Sequence, residues 1–148
     1  MLSFSLPSCS PKQGVIWERY EPQKLANAKT AKMPVVLDFS ADWCVACHEL
    51  DHDTYTDPEV IKALEPFKRL KVDVTDQRAH DAMELVDRFH IEGVPTVIFL
   101  NENGDEVTGT RVEGFIPANQ FLALIRTSSV AQKEKEQTNQ QANSSPAP

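Results

Sequence analysis

The chain has 148 residues, with 22 Asp and Glu against 15 Lys and Arg, a formal net charge of −7 and three cysteines. That length suits one domain, the 41% hydrophobic fraction suits a globular core, and no apolar run approaches the roughly 18 residues of a membrane helix. A net negative chain lacks the basic footprint that binds phosphate backbones, so no nucleic-acid partner is expected. Three cysteines cannot all pair within the chain, so at least one thiol stands apart.

Met1 to Ser10 has no Lys or Arg, and its short apolar stretch is broken by Ser and Pro7, so both parts of a signal peptide are missing. Leu6-Pro7-Ser8-Cys9 has the outline of a lipoprotein cleavage site without the apolar segment that should precede it. Residues 1–14 are expected to be a linker. Pro22 at a first-turn position and the Ala-, Lys- and Leu-rich stretch Gln23 to Lys32 predict a helix. Pro34 to Ser40 (PVVLDFS) is a nearly continuous apolar run of strand length, as in a strand buried on both faces. Asp57-Pro58-Glu59 opens a helix with a capping Asp and a first-turn Pro. Arg69 to Val74 alternates as a strand, with Thr75 or Asp76 capping a helix through Phe89. Pro95 to Leu100 is another buried strand, and Asn103-Gly104 predicts a tight turn into an antiparallel strand over Glu106 to Val112. Pro117 starts a last helix with Phe121, Leu122 and Ile125 on one face.

This pattern predicts an α/β fold, a mixed central β-sheet with helices on both faces, over residues 15–128. From Ala131 onward there is no aromatic or branched aliphatic residue. Such a segment buries too little apolar surface to offset its ordering entropy, so 129–148 is expected to be a disordered tail.

The strongest motif is Trp43-Cys44-Val45-Ala46-Cys47, just after the strand ending near Ser40. On a helix beginning near Cys44, the two cysteines share a face within disulfide reach. The loop so closed is too small to add much stability, which points to a bond that is made and broken. At the helix start Cys44 has amides and the positive dipole end to favour its thiolate, leaving Cys47 as the resolving thiol. Asp51 lies four residues after Cys47 on the same helical face. Asp38 is an ionisable group in an apolar run, which is costly unless paired or protonated.

Val36 to Cys47 (VLDFSADWCVAC) resembles the active-site segment of the thioredoxin superfamily, and Gly93-Val94-Pro95-Thr96 resembles its cis-proline loop. The likeness is closer to the C-terminal periplasmic domains of the DsbD family of transmembrane thiol-disulfide interchange proteins. It rests on Ala-Asp-Trp-Cys-Val-Ala-Cys, the Thr-x-x-Asp-Pro-Glu-Val stretch ending at Val60, and Arg111-Val112-Glu113-Gly114-Phe115. It spans roughly Trp17 to Arg126 and departs at His48, where that family often has Lys.

The resemblance implies a thioredoxin-like fold in which Pro95 is cis and lies beside Cys44. Gly93 and Val94 would pair with an extended partner segment, and Trp43 would flank the binding position. Asp38 and Asp51 match buried acids that help move the proton of Cys47 during resolution. It implies a monomeric, reductive relay from a membrane-embedded electron-donor domain to periplasmic disulfide oxidoreductases, in the bacterial periplasm as part of an inner-membrane protein. No cofactor is needed, because the electrons travel on sulfur. A free-standing thioredoxin, a cytoplasmic general disulfide reductase, is the alternative within the class.

Between Asp38 and Glu59 there are seven acids and no Lys or Arg, which leaves 15 of the 22 acids to balance the 15 basic residues elsewhere. Nearby negative charge disfavours a thiolate, so Cys44 is expected to be a sluggish nucleophile until a partner docks. Two rivals use the same residues. Cys44 to His48 spells C-x-x-C-H, the c-type haem attachment motif, with His80, Met83 or His90 as a second axial ligand; the position after a buried strand argues against it. A zinc site from Cys44, Cys47, His48 and His52 would crowd its ligands into nine residues instead of two separated pairs, so no metal is expected. His80 and His90 are expected at the surface or at helix ends, and Cys9 as a bystander thiol.

Overall fold

The computed structural model describes residues 13–144. In chain order the elements are β1 (Glu18–Arg19), α1 (Pro22–Thr30), β2 (Val35–Ser40), α2 (Val45–Glu49), α3 (Pro58–Leu64), β3 (Lys68–Asp73), α4 (His80–Arg88), β4 (Thr96–Leu100), β5 (Val112–Glu113) and α5 (Ala118–Asn143). A π-helical turn over Leu50–Thr54 continues α2 without a break. The five strands form one sheet in the order β1-β3-β2-β4-β5. β1, β3 and β2 run parallel, while β4 is antiparallel to β2 and β5 to β4.

Every residue of the central β2 is buried, and its side chains alternate between two cores. Val35, Leu37 and Phe39 join Leu70, Val72, Ile98 and Leu100 under α1 and α4. Val36 joins Tyr55, Val60, Leu64, Phe99 and Phe121 under α3, α5 and the π-turn. This is the predicted mixed sheet with helices on both faces. The period of two puts Asp38 on the second face, under the segment that follows the cysteines.

Proline and aspartate act as read from the sequence. Pro22 occupies the first turn of α1, and Asp57 caps α3 by accepting from the Glu59 and Val60 amides at 2.8 and 3.2 Å. Three expectations shift. α4 starts at His80 instead of directly after Asp76, whose carboxylate is engaged by the Arg78 amide in the preceding turn. The turn at Asn103-Gly104 forms, Gly104 at φ 83°, but the returning chain pairs only at Glu106 and again at Val112–Glu113. Between them Gly109 at φ 80° and the Thr110 hydroxyl on the Val107 carbonyl turn the chain away from β4.

The third difference is α5, which continues to Asn143 instead of ending at 128, so the segment expected as a disordered tail is helical through most of its length. Lack of a core-forming residue does not stop a helix from propagating: Ala131 to Glu136 is rich in strong helix formers, and no Gly or Pro intervenes before Pro146. Ala131 still packs against the core, and the described side chains from Lys133 onward are exposed. The linker expected over 1–14 and Cys9 lie almost wholly outside the described residues.

Candidate active site

After β2 the chain turns through Ala41, Asp42 and Trp43 to Cys44, which caps α2. The turn is held by the Cys44 amide on the Ala41 carbonyl at 3.1 Å and by the Asp42 amide on the Thr75 hydroxyl at 2.9 Å. Cys44 has extended backbone geometry, and its Sγ accepts from the Cys47 amide at 3.1 Å. Cys44 and Cys47 are joined as a disulfide with their Cα atoms 5.3 Å apart. An amide donor so placed favours negative charge on the Cys44 sulfur. Both cysteines are buried, whereas Trp43 is 65% and Val45 72% exposed, so apolar surface flanks a sheltered bond. Trp43 therefore lies at the rim and fills no core.

The Val94–Pro95 peptide is cis, as the resemblance implied. Val94 packs against the small cluster formed by Ala41, Cys44 and Cys47, which brings the cis-proline loop to the disulfide. Pro95 is buried beside it, Gly93 is exposed, and an open hollow lined by Glu92, Gly93, Val94, Pro95 and Glu113 lies outside. The loop is braced by the Thr96 hydroxyl on the Gly93 carbonyl at 2.7 Å and the Gly114 amide on the Pro95 carbonyl at 2.9 Å.

Behind the cysteines is a cleft of about 410 Å³ whose walls include Trp17, Arg19, Cys47, His48, Asp51 and Lys71. Lys71 projects from β3 at the position paired with Asp38 of β2. Its Nζ lies 2.5 Å from Asp51 Oδ1 and 3.5 Å from Asp38 Oδ2, bridging the two acids. Asp38 is 2% exposed, and burial pushes its carboxyl up to about 6, against the pull of Lys71 and with a push from the Asp51 charge. A carboxyl held near 6, opening through Lys71 and Asp51 onto the cleft that Cys47 lines, is poised to accept and release a proton close to neutral pH.

The other nominated residues separate. The His48 ring donates from Nε2 to the Asp42 carbonyl at 2.9 Å, fastening α2 to the turn before Cys44. His52 pairs with Asp53 at 2.7 Å, His80 and His90 are exposed around the two ends of α4, and Met83 packs under that helix. Among the described residues no three His, Cys, Asp or Glu side chains gather as a metal site would require.

A family model described as a thioredoxin-like domain matches residues 21–129. The chain belongs to the thioredoxin-like family. This thioredoxin-like domain is 46% identical over 103 residues to the thiol:disulfide interchange protein DsbD of Haemophilus ducreyi, covering 70% of this chain and 18% of that protein. It is 45% identical over 104 residues to DsbD of Vibrio vulnificus, covering 70% and 17%. The chain thus spans less than a fifth of the length of these relatives. Among solved structures it is similar to the oxidised C-terminal domain of Neisseria meningitidis DsbD, with a TM-score of 0.64, 27% identity, and coverage of 76% of this chain and 99% of that one. It is also similar to a thioredoxin from Thermus thermophilus, with a TM-score of 0.66, 26% identity, and coverage of 81% and 91%. Among the described residues of the thioredoxin-like domain, no helix is long and apolar enough to cross a membrane.

Sequence reasoning passed over Lys71, Trp17, Arg19 and Tyr55. Lys71 carried a partial signal, standing out of phase with Leu70 and Val72 in an alternating strand, but the register that sets it against Asp38 is not written in either strand alone. β1 is two residues long, too short for any periodicity, yet it brings Trp17 and Arg19 to the cleft.

Proposed function

We propose that this domain is a thiol-disulfide oxidoreductase relaying two electrons by dithiol-disulfide exchange. The observation that carries this reading is the Cys44–Cys47 disulfide at the start of α2, packed against the residue before a cis proline and backed by a buried carboxyl. In the reduced domain the Cys44 thiolate attacks one sulfur of a partner disulfide. A Cys44–partner bond forms, the partner's S–S bond breaks, and the released partner thiolate takes a proton. Cys47 then gives up its proton toward the Asp38–Lys71–Asp51 group and attacks the Cys44 sulfur. The intramolecular disulfide forms and the second partner thiolate leaves, so the partner is reduced by two electrons and this domain is oxidised. An upstream dithiol reverses both steps.

The likeness to DsbD supports the finer assignment: a periplasmic domain of an inner-membrane protein, loaded by a membrane-embedded dithiol and discharging into periplasmic disulfide oxidoreductases. Gly93, Val94 and Pro95 offer backbone to an extended partner segment, and Trp43 and Val45 supply apolar contact. The match to nearly the whole of a Thermus thioredoxin favours a second reading, a free-standing general reductase. Two measurements separate them. Rapid reduction by thioredoxin reductase supports the free-standing reading; inertness there, with fast exchange against a periplasmic oxidoreductase, supports the relay. A Cys47→Ala variant should accumulate mixed disulfides on Cys44. If none form, the exchange mechanism fails.

A further inference from the structure

Three buried side-chain polar atoms lack a hydrogen-bond partner among the described residues: Trp17 Nε1, Asp38 Oδ1 and the Tyr55 hydroxyl. Such atoms are rare and costly, and here all three belong to residues that flank one side chain, Lys71. The Lys71 Nζ lies 5.9 Å from the ring centres of both Trp17 and Tyr55 and 3.5 Å from Asp38 Oδ2. Tyr55 is 1% exposed, and its ring is held between Trp17 and Phe121 with centroids at 5.0 and 5.7 Å. The hydroxyl faces Asp38, but in this disulfide form the two do not complete a hydrogen bond of ordinary geometry. Lys71 engages Oδ2, and Oδ1 is left without a partner.

Resting on the exchange reading above, we propose that Tyr55 is a positioning residue for the resolving step, its phenol donating to Asp38 Oδ1 when that carboxyl is ionised. A buried phenol is a neutral donor throughout the working pH range, and burial together with the Asp38 and Asp51 charges holds it far from ionisation. It stabilises the carboxylate without adding a charge, while Lys71 supplies the charge on the other oxygen. The groups facing Asp38 are then Lys71 from β3, and Asp51 and Tyr55 from the π-turn and the residue after it. Between them they set the pH at which the carboxyl takes the Cys47 proton.

The reduced domain reacted with 5,5′-dithiobis(2-nitrobenzoate) reads this directly. Attack by Cys44 releases one thionitrobenzoate and leaves the other on Cys44; attack by Cys47 releases the second. In Tyr55→Phe the acid limb of the second phase should move up by about half a pH unit or more, as expected when a hydrogen bond to the ionised form is lost. The first phase at high pH should stay unchanged. In an Asp38→Asn background the same substitution should have no further effect on the second phase. An unmoved second phase in Tyr55→Phe, or a shift that persists with Asn at 38, overturns the proposal. Slowing of both phases with a lowered Tm assigns Tyr55 to packing and overturns it too. Failure of the unmodified domain to release the second thionitrobenzoate would overturn the exchange reading, whereas a normal wild-type second phase with an unmoved variant overturns only the role of Tyr55.

Discussion

Asp38 on β2 and Lys71 on β3 are register partners in the parallel part of the sheet, and their side chains meet at 3.5 Å on the face that carries the active-site helix. The pair is lopsided, because the carboxyl is buried while Lys71 reaches the cleft and makes its shorter contact with Asp51. A buried carboxylate whose cation is shared is incompletely compensated, which is why burial outweighs Lys71 and the carboxyl rises to about 6.

The first prediction is a stability cost with a defined sign. Asp38 titrates near 6 when folded, against roughly 4 when unfolded. Below pH 4 both states are protonated and the group contributes nothing. Between 4 and 6 the folded state holds the extra proton, so stability falls as pH rises, and above 6 the full cost is present, on the order of 2–3 kcal/mol. Asp38→Asn should therefore be more stable than wild type in urea unfolding at pH 8 and nearly equal at pH 4, while resolving mixed disulfides more slowly. A variant less stable than wild type at pH 8 contradicts this.

Lys71→Gln removes the cation that both acids share. The Asp38 carboxyl should climb by about a unit, the loss expected for an opposite charge within 4 Å. The pH at which Cys47 resolves a mixed disulfide should climb with it. Rapid-quench trapping of the mixed disulfide across pH 5 to 9 measures both, and an unchanged profile would remove Lys71 from the proton path.

The run of acids from Asp38 to Glu59 predicts a slow Cys44 thiolate, and the fold redistributes those charges. Asp57 caps α3 and Glu59 lies in its first turn, Asp38 and Asp51 share Lys71, and Asp53 pairs with His52, leaving Asp42 and Glu49 exposed on either side of the cysteines. Asp42→Asn should speed the first, Cys44-dependent phase of the reaction with 5,5′-dithiobis(2-nitrobenzoate) at fixed pH, through loss of a partly screened like charge. An unchanged rate would show that the Cys47 amide and the helix end dominate.

The C-terminal half of α5 is tested by shortening. A chain ending at Gln132 keeps Phe121, Leu122, Ile125 and Ala131 on the core and loses only residues whose described side chains are exposed or lie outside the described part. Its mean residue ellipticity at 222 nm should fall, with the unfolding midpoint and exchange rate unchanged. A lowered midpoint would give the distal helix a packing role.

The residue pattern by itself determined the alternation of strand and helix, the capping Asp57, the Asn103-Gly104 turn and the cysteine pair at a strand-to-helix junction. Each is local: propensity, period and cap chemistry act over a few neighbours. Through resemblance it also reached the cis bond at Pro95 and the burial of Asp38, whereas Asp51, matched there to a buried acid, has a side chain 42% exposed. The tertiary structure alone decided what compensates those acids. The cation comes from Lys71, 33 positions beyond Asp38 in the chain, placed by a sheet register that depends on how the two cores fill. The opening imbalance of −7 remains, but at the cleft it is answered by side chains from β1 and β3, because electrostatics follows distance in space and a charge count follows the chain.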